Sequence, residues 1–188
     1  MIDFENAEEI IPCVYVYENF IDNSEELIDL AKSMSDQSSS ASVVVDGQIE
    51  VDRSIRNNKV VEVSYEFKND VRWFSLAQKI WQCANSYAIK HGITFSDMEY
   101  PQLLTYEANN GFYLPHHDHG PTIPRIFSCV LYLNDVEEGG ETLFTRFNTS
   151  VKPKSGRMIL FPANYTYLHE ALPPVSGEKN VIVTWFRQ

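Results

Sequence analysis

Residues 125–134 read RIFSCVLYLN, a run of β-branched, aromatic and other apolar residues that predicts a buried strand. Similar short runs lie on either side, separated by Gly, Pro, Asn and Asp: PQLLTY (101–106), ETLFTRF (141–147), GRMILFP (156–162), YTYLHEAL (165–172) and VIVTWF (181–186). The connections are too short for crossover helices. The pattern therefore predicts an antiparallel sandwich or barrel over residues 98–188.

Residues 1–97 combine predicted helices with predicted strands. The run at 10–17, IIPCVYVY, predicts one strand, and Asn23 is the predicted N-cap of the helix that follows it. Apolar residues at helical spacing over 70–91 predict the longest helix, and Gly92 fits a C-terminal cap. We therefore expect helices in this half that support the β half.

The chain of 188 residues has the length of one domain. We expect a mostly β, α+β fold in which a jelly roll over residues 98–188 packs on the helical N-terminal part. An Asp-Gly pair at 46–47 between two β-rich runs predicts a hairpin. Together with the serine-rich segment 33–42, this hairpin is the candidate lid over a site in the jelly roll.

The composition argues against several classes of function and location. The net charge of −11 disfavours binding to nucleic acid or to an anionic membrane surface. No apolar run is long enough to span a bilayer, and the acidic start MIDFENAEEI lacks the pattern of a secretory signal. Three widely spaced cysteines favour free thiols, so we expect a reducing, cytoplasmic location.

The densest cluster of candidate ligands is LPHHDHG at residues 114–120, which reads as a short strand between turns. Neighbouring residues on a strand point to opposite faces, so His116 and Asp118 share one face and the other two histidines share the opposite face. Only one of these pairs can face a shared interior. If it is the first pair, His169 in the YTYLHEAL run completes a set of two histidines and one carboxylate.

Three such ligands on one face leave coordination positions open, as in non-haem Fe(II) oxygenases, although zinc hydrolases use similar ligands. Lys179 on the last predicted strand bears on this choice. A lysine that is buried there needs an anion, and a bound dicarboxylate would supply one. The alternative is an edge-strand lysine in water, so the residues alone leave iron and zinc open.

Several segments of the C-terminal half resemble the 2-oxoglutarate- and Fe(II)-dependent dioxygenases, specifically the prolyl 4-hydroxylase-like branch. They follow one another in the order of the family: Tyr106, 111–118 (GFYLPHHD), Arg125 leading to 131–134 (LYLN), 139–144 (GGETLF), 151–156 (VKPKSG), then His169, Lys179 and Trp185. The resemblance implies the family's fold, a cupin-like double-stranded β-helix. Residues 51–54, VDRS, resemble a strand near the substrate entrance of the family.

By this resemblance, His116, Asp118 and His169 would hold Fe(II). The cosubstrate 2-oxoglutarate would chelate the metal, and Lys179 would pair with its distal carboxylate. The resemblance places six more side chains around the pocket: Tyr106, Thr142, Tyr132 and Trp185 at the cosubstrate, and Arg125 and Tyr113 at the substrate. Packing in the β core is the alternative role for the aromatic residues, and a surface ion pair is the alternative for Arg125.

The implied reaction is hydroxylation of a C–H bond with O2, coupled to decarboxylation of 2-oxoglutarate to succinate and CO2, with ascorbate as an optional reductant. We expect 4-hydroxylation of a proline in a peptide or protein substrate. A free amino acid or another protein side chain is the alternative substrate. Two other classes stay open: a zinc hydrolase with the same ligands, and a jelly-roll binding module without oxidative activity.

Overall fold

The computed structural model describes residues 7–33, 39–45, 48–62, 70–120 and 124–188. Both predicted helices are present, α1 over Ser24–Ser33 and α2 over Val71–His91. The strands in chain order are β1 Ala7–Ile11, β2 Val14–Tyr17, β3 Ser39–Ser40, β4 Val43–Val45, β5 Gln48–Glu50, β6 Arg56–Asn57, β7 Lys59–Glu62, β8 Asp97–Met98, β9 Gln102–Tyr106, β10 Phe112–His116, β11 Arg125–Tyr132, β12 Thr142–Phe144, β13 Thr149–Val151, β14 Met158–Pro162, β15 His169–Ala171 and β16 Lys179–Arg187.

Two sheets pack against each other, and β4 and β5 form a separate two-stranded hairpin. Within the described residues, the larger sheet has nine strands in the order β1-β2-β14-β11-β16-β9-β7-β3, with β8 paired to β16. The smaller sheet has five, in the order β13-β12-β15-β10-β6. Neighbouring strands in both sheets run antiparallel. The predicted mostly β fold with flanking helices is therefore confirmed.

Strand β16 lies in the middle of the larger sheet and contributes to two cores. Ile182 and Phe186 pack in the core under the helices, whereas Val183 and Trp185 pack in the core between the two sheets. Successive side chains on a strand point to opposite faces, which produces this division. Because both faces are covered, the strand reads as a nearly continuous apolar run. Lys179 shares the inter-sheet face and reaches the cavity described below.

Helix α2 begins and ends where the sequence predicts. Asp70 is its N-cap, and the Asp70 carboxylate accepts a hydrogen bond of 2.9 Å from the backbone N–H of Arg72. Gly92 ends the helix with φ = 62°, a left-handed conformation that favours glycine. The face that packs on the larger sheet comprises Trp73, Leu76, Ile80, Cys83, Ala84 and Tyr87.

Neither α1 nor α2 combines the length and the apolar character that a membrane-spanning helix needs. The cysteines are free thiols, with Cys83 and Cys129 buried and Cys13 partly exposed, as the spacing predicted.

The structure corrects the prediction of a single strand over residues 10–17. Strands β1 and β2 form an antiparallel hairpin instead, with Ile11 opposite Val14. Pro12 and Cys13 make the turn, and Cys13 has φ = 63°. Proline cannot donate a backbone hydrogen bond to a strand partner, which explains why the apolar run divides there.

One further prediction in the N-terminal part is wrong. Residues 53–55 form a turn and not a strand, and the Asp52 carboxylate accepts hydrogen bonds from the N–H and hydroxyl of Ser54. Such local bonds favour turns over strands.

The segments that frame the predicted lid are partly described. Strands β4 and β5 pair as a hairpin, with Val43 opposite Glu50. The Asp-Gly pair at 46–47 and residues 34–38 of the serine-rich segment lie outside the described residues. Residues 39–43 and Ile49 line the cavity, so these segments border the site that the predicted lid would cover.

Candidate active site

Strand pairing brings the two candidate histidine ligands together. In the antiparallel pair of β10 and β15, His116 lies opposite His169, and their ring centroids are 4.3 Å apart. Asp118 follows just beyond the end of β10, where its N–H donates to the carbonyl of Ala163 at 3.1 Å. One potential ligand atom from each of the three residues lies within 4.8 Å of the other two. The structure thus groups the three predicted ligands at one point.

Backbone carbonyls orient both imidazoles. His116 Nδ1 lies 2.9 Å from the carbonyl oxygen of Leu114, and His169 Nδ1 lies 3.0 Å from that of Tyr167. A proton on each Nδ1 satisfies these carbonyls and leaves both Nε2 lone pairs free. Each Nε2 is 3.7 Å from an oxygen of Asp118. This is the arrangement that protein metal sites use to fix the tautomer of their histidine ligands.

The charge states of His116 and Asp118 suit a cation. Burial lowers the pKa of His116 to about 3, so its imidazole is neutral at physiological pH. Burial by itself would raise the pKa of Asp118, but His169, His116 and a hydrogen bond from Ser128 outweigh it and hold the pKa below its ordinary value. Two imidazole nitrogens and one carboxylate, with open positions beside them, fit Fe(II).

Ser128 belongs to this site although the sequence analysis did not single it out. Its hydroxyl donates a hydrogen bond of 2.6 Å to Asp118 Oδ2, and the residue is fully buried. Ser128 lies on β11 between Phe127 and Cys129, whose side chains pack under the helices, so it points to the cavity side. The sequence feature that could have pointed to Ser128 is a small polar residue within the apolar run RIFSCVLYLN.

The ligands line a cavity of about 250 Å³, and Lys179 lies in its wall. The Lys179 side chain is buried, its residue 2% exposed, and Nζ donates a hydrogen bond of 2.8 Å to the carbonyl of Gly140. Nζ also lies 4.3 Å from the ring centroid of Tyr106. Burial lowers the pKa of Lys179 to about 7, although Glu141 partly counteracts it. The alternative of an edge-strand lysine in water is therefore wrong.

The remaining residues predicted at the cosubstrate have different positions. Tyr106, Thr142 and Trp185 line the cavity. Tyr132 lies behind the wall, where its hydroxyl donates a hydrogen bond of 2.7 Å to Thr142 Oγ1. We infer that Tyr132 fixes the rotamer of Thr142 from outside the cavity.

Arg125 and Tyr113, predicted at the substrate, also line the cavity. The Arg125 guanidinium is held by Glu99 through bonds of 2.8 Å from Nε and 2.6 Å from Nη2, and its Cζ lies 3.6 Å from the Trp185 ring. The Tyr113 ring stacks on His116 with centroids 3.5 Å apart. Sequence reasoning missed Glu99 because nothing in the local pattern links it to Arg125.

Comparisons with known proteins agree with this site. Residues 101–187 match the sequence model of the 2OG-Fe(II) oxygenase superfamily. The probable prolyl 4-hydroxylase 9 of Arabidopsis thaliana is 34% identical over 120 residues, which cover 52% of this chain and 41% of that protein. Prolyl 3-hydroxylase 2 of Rattus norvegicus is 32% identical over 146 residues, which cover 72% of this chain and 20% of that protein. The chain spans less than half the length of these two relatives.

Solved structures share the fold. A Pseudomonas putida prolyl-4-hydroxylase superposes with a TM-score of 0.71 at 19% identity, covering 94% of this chain and 93% of that chain. A prolyl hydroxylase from Trichoplax adhaerens, in complex with a hypoxia inducible factor oxygen degradation domain peptide fragment, gives 0.72 at 20% identity, covering 93% and 83%. The predicted double-stranded β-helix is therefore confirmed.

The family match and the shared fold extend over the part of the chain that carries the three ligands and Lys179. The predicted Fe(II), 2-oxoglutarate and O2 are the cofactors and oxidant of that family, and the donor set of the site fits the metal. Residues 101–187 of the chain therefore match the 2OG-Fe(II) oxygenase superfamily, and the relatives they resemble are prolyl hydroxylases.

Proposed function

We propose that this chain is a 2-oxoglutarate-dependent dioxygenase that hydroxylates a proline in a peptide or protein, at C4 of the ring. One observation carries the proposal: a single cavity is lined both by His116, Asp118 and His169 and by the buried Lys179. The two histidines and the carboxylate would hold a divalent metal, and the lysine would give a dicarboxylate cosubstrate its counter-charge. A binding module without a cosubstrate would gain nothing from burying this cation.

His116, Asp118 and His169 would hold Fe(II) on one side of the metal. Because the imidazoles are fixed by backbone carbonyls and the carboxylate by Ser128, the three donors need little rearrangement on binding. The cavity leaves the opposite side accessible to small ligands. When bound there, iron and 2-oxoglutarate together supply the O2 chemistry, which yields succinate and CO2.

Lys179 would bind the distal carboxylate of 2-oxoglutarate in its charged form. An ammonium group donates up to three hydrogen bonds, and Gly140 accepts one of them, so two remain for the ligand. The Thr142 hydroxyl lies in the same wall and is oriented by Tyr132. These groups would set the depth and direction of the cosubstrate relative to the metal ligands.

Tyr113, Arg125 and Trp185 would form the substrate side of the cavity. Their flat surfaces give a proline ring apolar contact next to His116. Because Glu99 and Trp185 fix the Arg125 guanidinium, its planar fork is pre-organised to donate to a backbone carbonyl of a peptide. The relatives are named as prolyl hydroxylases, and one solved relative is a complex with a peptide fragment, which supports a peptide substrate.

The decisive experiment combines anaerobic spectroscopy with turnover. Addition of Fe(II) and 2-oxoglutarate without O2 should produce a weak visible charge-transfer band, which Lys179→Met should weaken at the same cosubstrate concentration. In air, proline-containing peptides should gain the mass of one oxygen atom, with matched release of succinate. Fragment spectra and NMR of the product would then give the ring position. Tight zinc binding with no band and no succinate would show that the chain is a zinc hydrolase or a binding module instead.

A further inference from the structure

Arg56 lines the same cavity and lies on β6, the strand beside β10. Arg56 on β6 pairs with Tyr113 on β10, and its Cζ lies 4.6 Å from the centroid of the Tyr113 ring. The other neighbour of that ring is His116, stacked on it at 3.5 Å and an interplanar angle of 16°. The Tyr113 ring therefore contacts both the Arg56 cation and a predicted metal ligand.

No carboxylate neutralises Arg56 within the described residues. Its Nε donates a hydrogen bond of 2.8 Å to the side-chain oxygen of Asn58, and its Nη1 donates one of 3.3 Å to the carbonyl of Ser42. Both acceptors are uncharged. Arg125, the other arginine in the cavity wall, has its charge balanced by two bonds to Glu99. Arg56 thus keeps its full positive charge toward the cavity.

This unpaired cation stands out against the rest of the chain, whose net charge is −11. Two carboxylates other than Asp118, Glu62 and Glu170, also line the cavity, yet neither forms an ion pair with Arg56. Lys179 is the second unpaired cation in the described wall, and in the proposed function it binds the distal carboxylate of the cosubstrate. Arg56 is therefore the cation in the described part of the cavity that remains for the substrate.

We infer that Arg56 selects a substrate that carries a carboxylate close to the hydroxylated carbon, namely a peptide with Asp or Glu one or two positions from the target proline. This inference rests on the proposed function and specifies its substrate class. A guanidinium group binds a carboxylate through two parallel hydrogen bonds, which gives direction as well as attraction. An extended peptide advances about 3.3 Å per residue, so a side chain one or two positions away reaches past the Tyr113 ring.

The test is a competition between short peptides that differ only beside the proline, where they carry Glu, Gln or Lys. Mass spectrometry of the mixed products gives the ratio of kcat/KM values directly. We expect the native protein to prefer Glu over Gln about 10-fold to 100-fold, the range of a charge-assisted hydrogen bond. Arg56→Gln should reduce the ratio to near one, and Arg56→Lys should keep part of it. Arg56→Glu should favour the Lys peptide.

Arg53 provides the matched control. It lies on the same segment and carries the same charge, but it is exposed and donates to the hydroxyl of Ser40. Arg53→Gln should keep the full preference for Glu. A preference for Glu that survives in Arg56→Gln, or a native protein that turns over Glu and Gln peptides equally, overturns the inference.

The proposed function has its own, separate readout. Succinate release that requires Fe(II) and 2-oxoglutarate, together with hydroxylation of any proline peptide, upholds it whatever the preference at Arg56. Absence of both would overturn the proposed function and this inference together, whereas turnover without charge preference overturns the inference alone. A role of Arg56 that is only structural would lower kcat/KM for all three peptides by the same factor and leave their ratio unchanged.

Discussion

His116 and His117 are neighbours in the chain with opposite surroundings. The His116 ring lies in the cavity wall, while His117 is exposed. We predict that His116→Ala abolishes Fe(II)-dependent turnover and weakens Mn(II) binding by at least about 100-fold, because one of three protein ligands is lost. His117→Ala, its matched control, should bind Mn(II) as the native protein does. Equal losses in both variants, measured by electron paramagnetic resonance titration, would contradict the ligand assignment.

Ser128 acts on the metal through Asp118. Its hydroxyl donates to Asp118 Oδ2, which would orient the carboxylate toward a metal held with the two histidines. Ser128→Ala should weaken Mn(II) binding about 10-fold to 100-fold, the usual effect of removing a group that orients a ligand. Ser128→Thr keeps the hydroxyl and should restore most of the affinity. The visible spectrum of the Co(II)-substituted protein should change only in the Ala variant. An unchanged Co(II) spectrum in Ser128→Ala would speak against a positioning role.

Lys179 should make 2-oxoglutarate binding depend on pH. Burial disfavours the charged form of Lys179 and lowers its pKa to about 7. Bound 2-oxoglutarate dianion favours the charged form of Lys179, so binding above pH 7 takes up a proton. The affinity for 2-oxoglutarate therefore falls as pH rises, by at most about tenfold per pH unit. Calorimetry in buffers of different ionisation enthalpy measures this proton uptake. Lys179→Met should bind weakly at every pH, and a pH-independent Kd in the native protein from about pH 6 to 9 would refute the assignment.

The lowered pKa of Lys179 affects the free energy of unfolding in the opposite direction. The pKa of Lys179 is lower in the folded state than its ordinary value of 10.5. Between about pH 7 and 10.5 the unfolded chain therefore binds more protons at this residue. The contribution of Lys179 to the free energy of unfolding rises with pH over that window, while affinity for the cosubstrate falls.

At the scale of elements, β10 is placed by the tight connection that precedes it. A Cβ atom on Gly111 would lie 2.6 Å from the backbone nitrogen of Glu107 and 2.6 Å from Cα of Tyr106. Gly111→Ala must therefore displace β9 or β10, and we expect a loss of about 1–3 kcal/mol in the free energy of unfolding, together with weaker metal binding.

Gly120 is the control on the other side of the ligand stretch, since a Cβ atom there meets nothing within 4 Å. Gly120→Ala should change the free energy of unfolding by less than about 0.5 kcal/mol. Urea denaturation of the two variants decides the matter. Equal stabilities would mean that the close backbone approach at Gly111 does not constrain the β9–β10 connection.

At the scale of the whole molecule, the site joins distant parts of the chain. Its ligands come from the β10 region and from β15 in the smaller sheet, while Ser128 and Lys179 come from the larger sheet. Metal and cosubstrate together should therefore stabilise the packing of the two sheets. At concentrations 100-fold above Kd, each should add about 2.7 kcal/mol, which raises Tm by about 5–10 °C.

The effect of 2-oxoglutarate on Tm should depend on bound metal. Because 2-oxoglutarate is expected to contact the metal as well as Lys179, it should raise Tm strongly only when Mn(II) is present. In His116→Ala, neither Mn(II) alone nor the pair should raise Tm. Differential scanning calorimetry provides the measurement, and an equal shift by 2-oxoglutarate with and without metal would place its binding site elsewhere.

The sequence by itself determined local features of the fold, and its resemblance to a known family pointed to His116, Asp118 and His169 as the ligands. Asp70 and Gly92 mark the ends of α2, because capping depends on residues within one turn. Alternation along LPHHDHG grouped His116 with Asp118, although Asp118 lies past the end of the strand. Helix capping and strand alternation depend on a few neighbouring residues, so both can be recognised without the tertiary structure. The broken strand at Pro12 shows the limit, because an apolar run alone does not reveal where it turns.

Only the tertiary structure decided which partners these residues meet. Lys179 is a buried cation because β16 is covered on both faces, and Arg125 is bound because Glu99 reaches it from another segment. Tyr132 lies behind Thr142 although both lie in matching motifs, and Ser128 meets Asp118 across two strands that no local pattern connects. Contacts between distant strands depend on register and on the twist of whole sheets, and these are properties of the assembled fold.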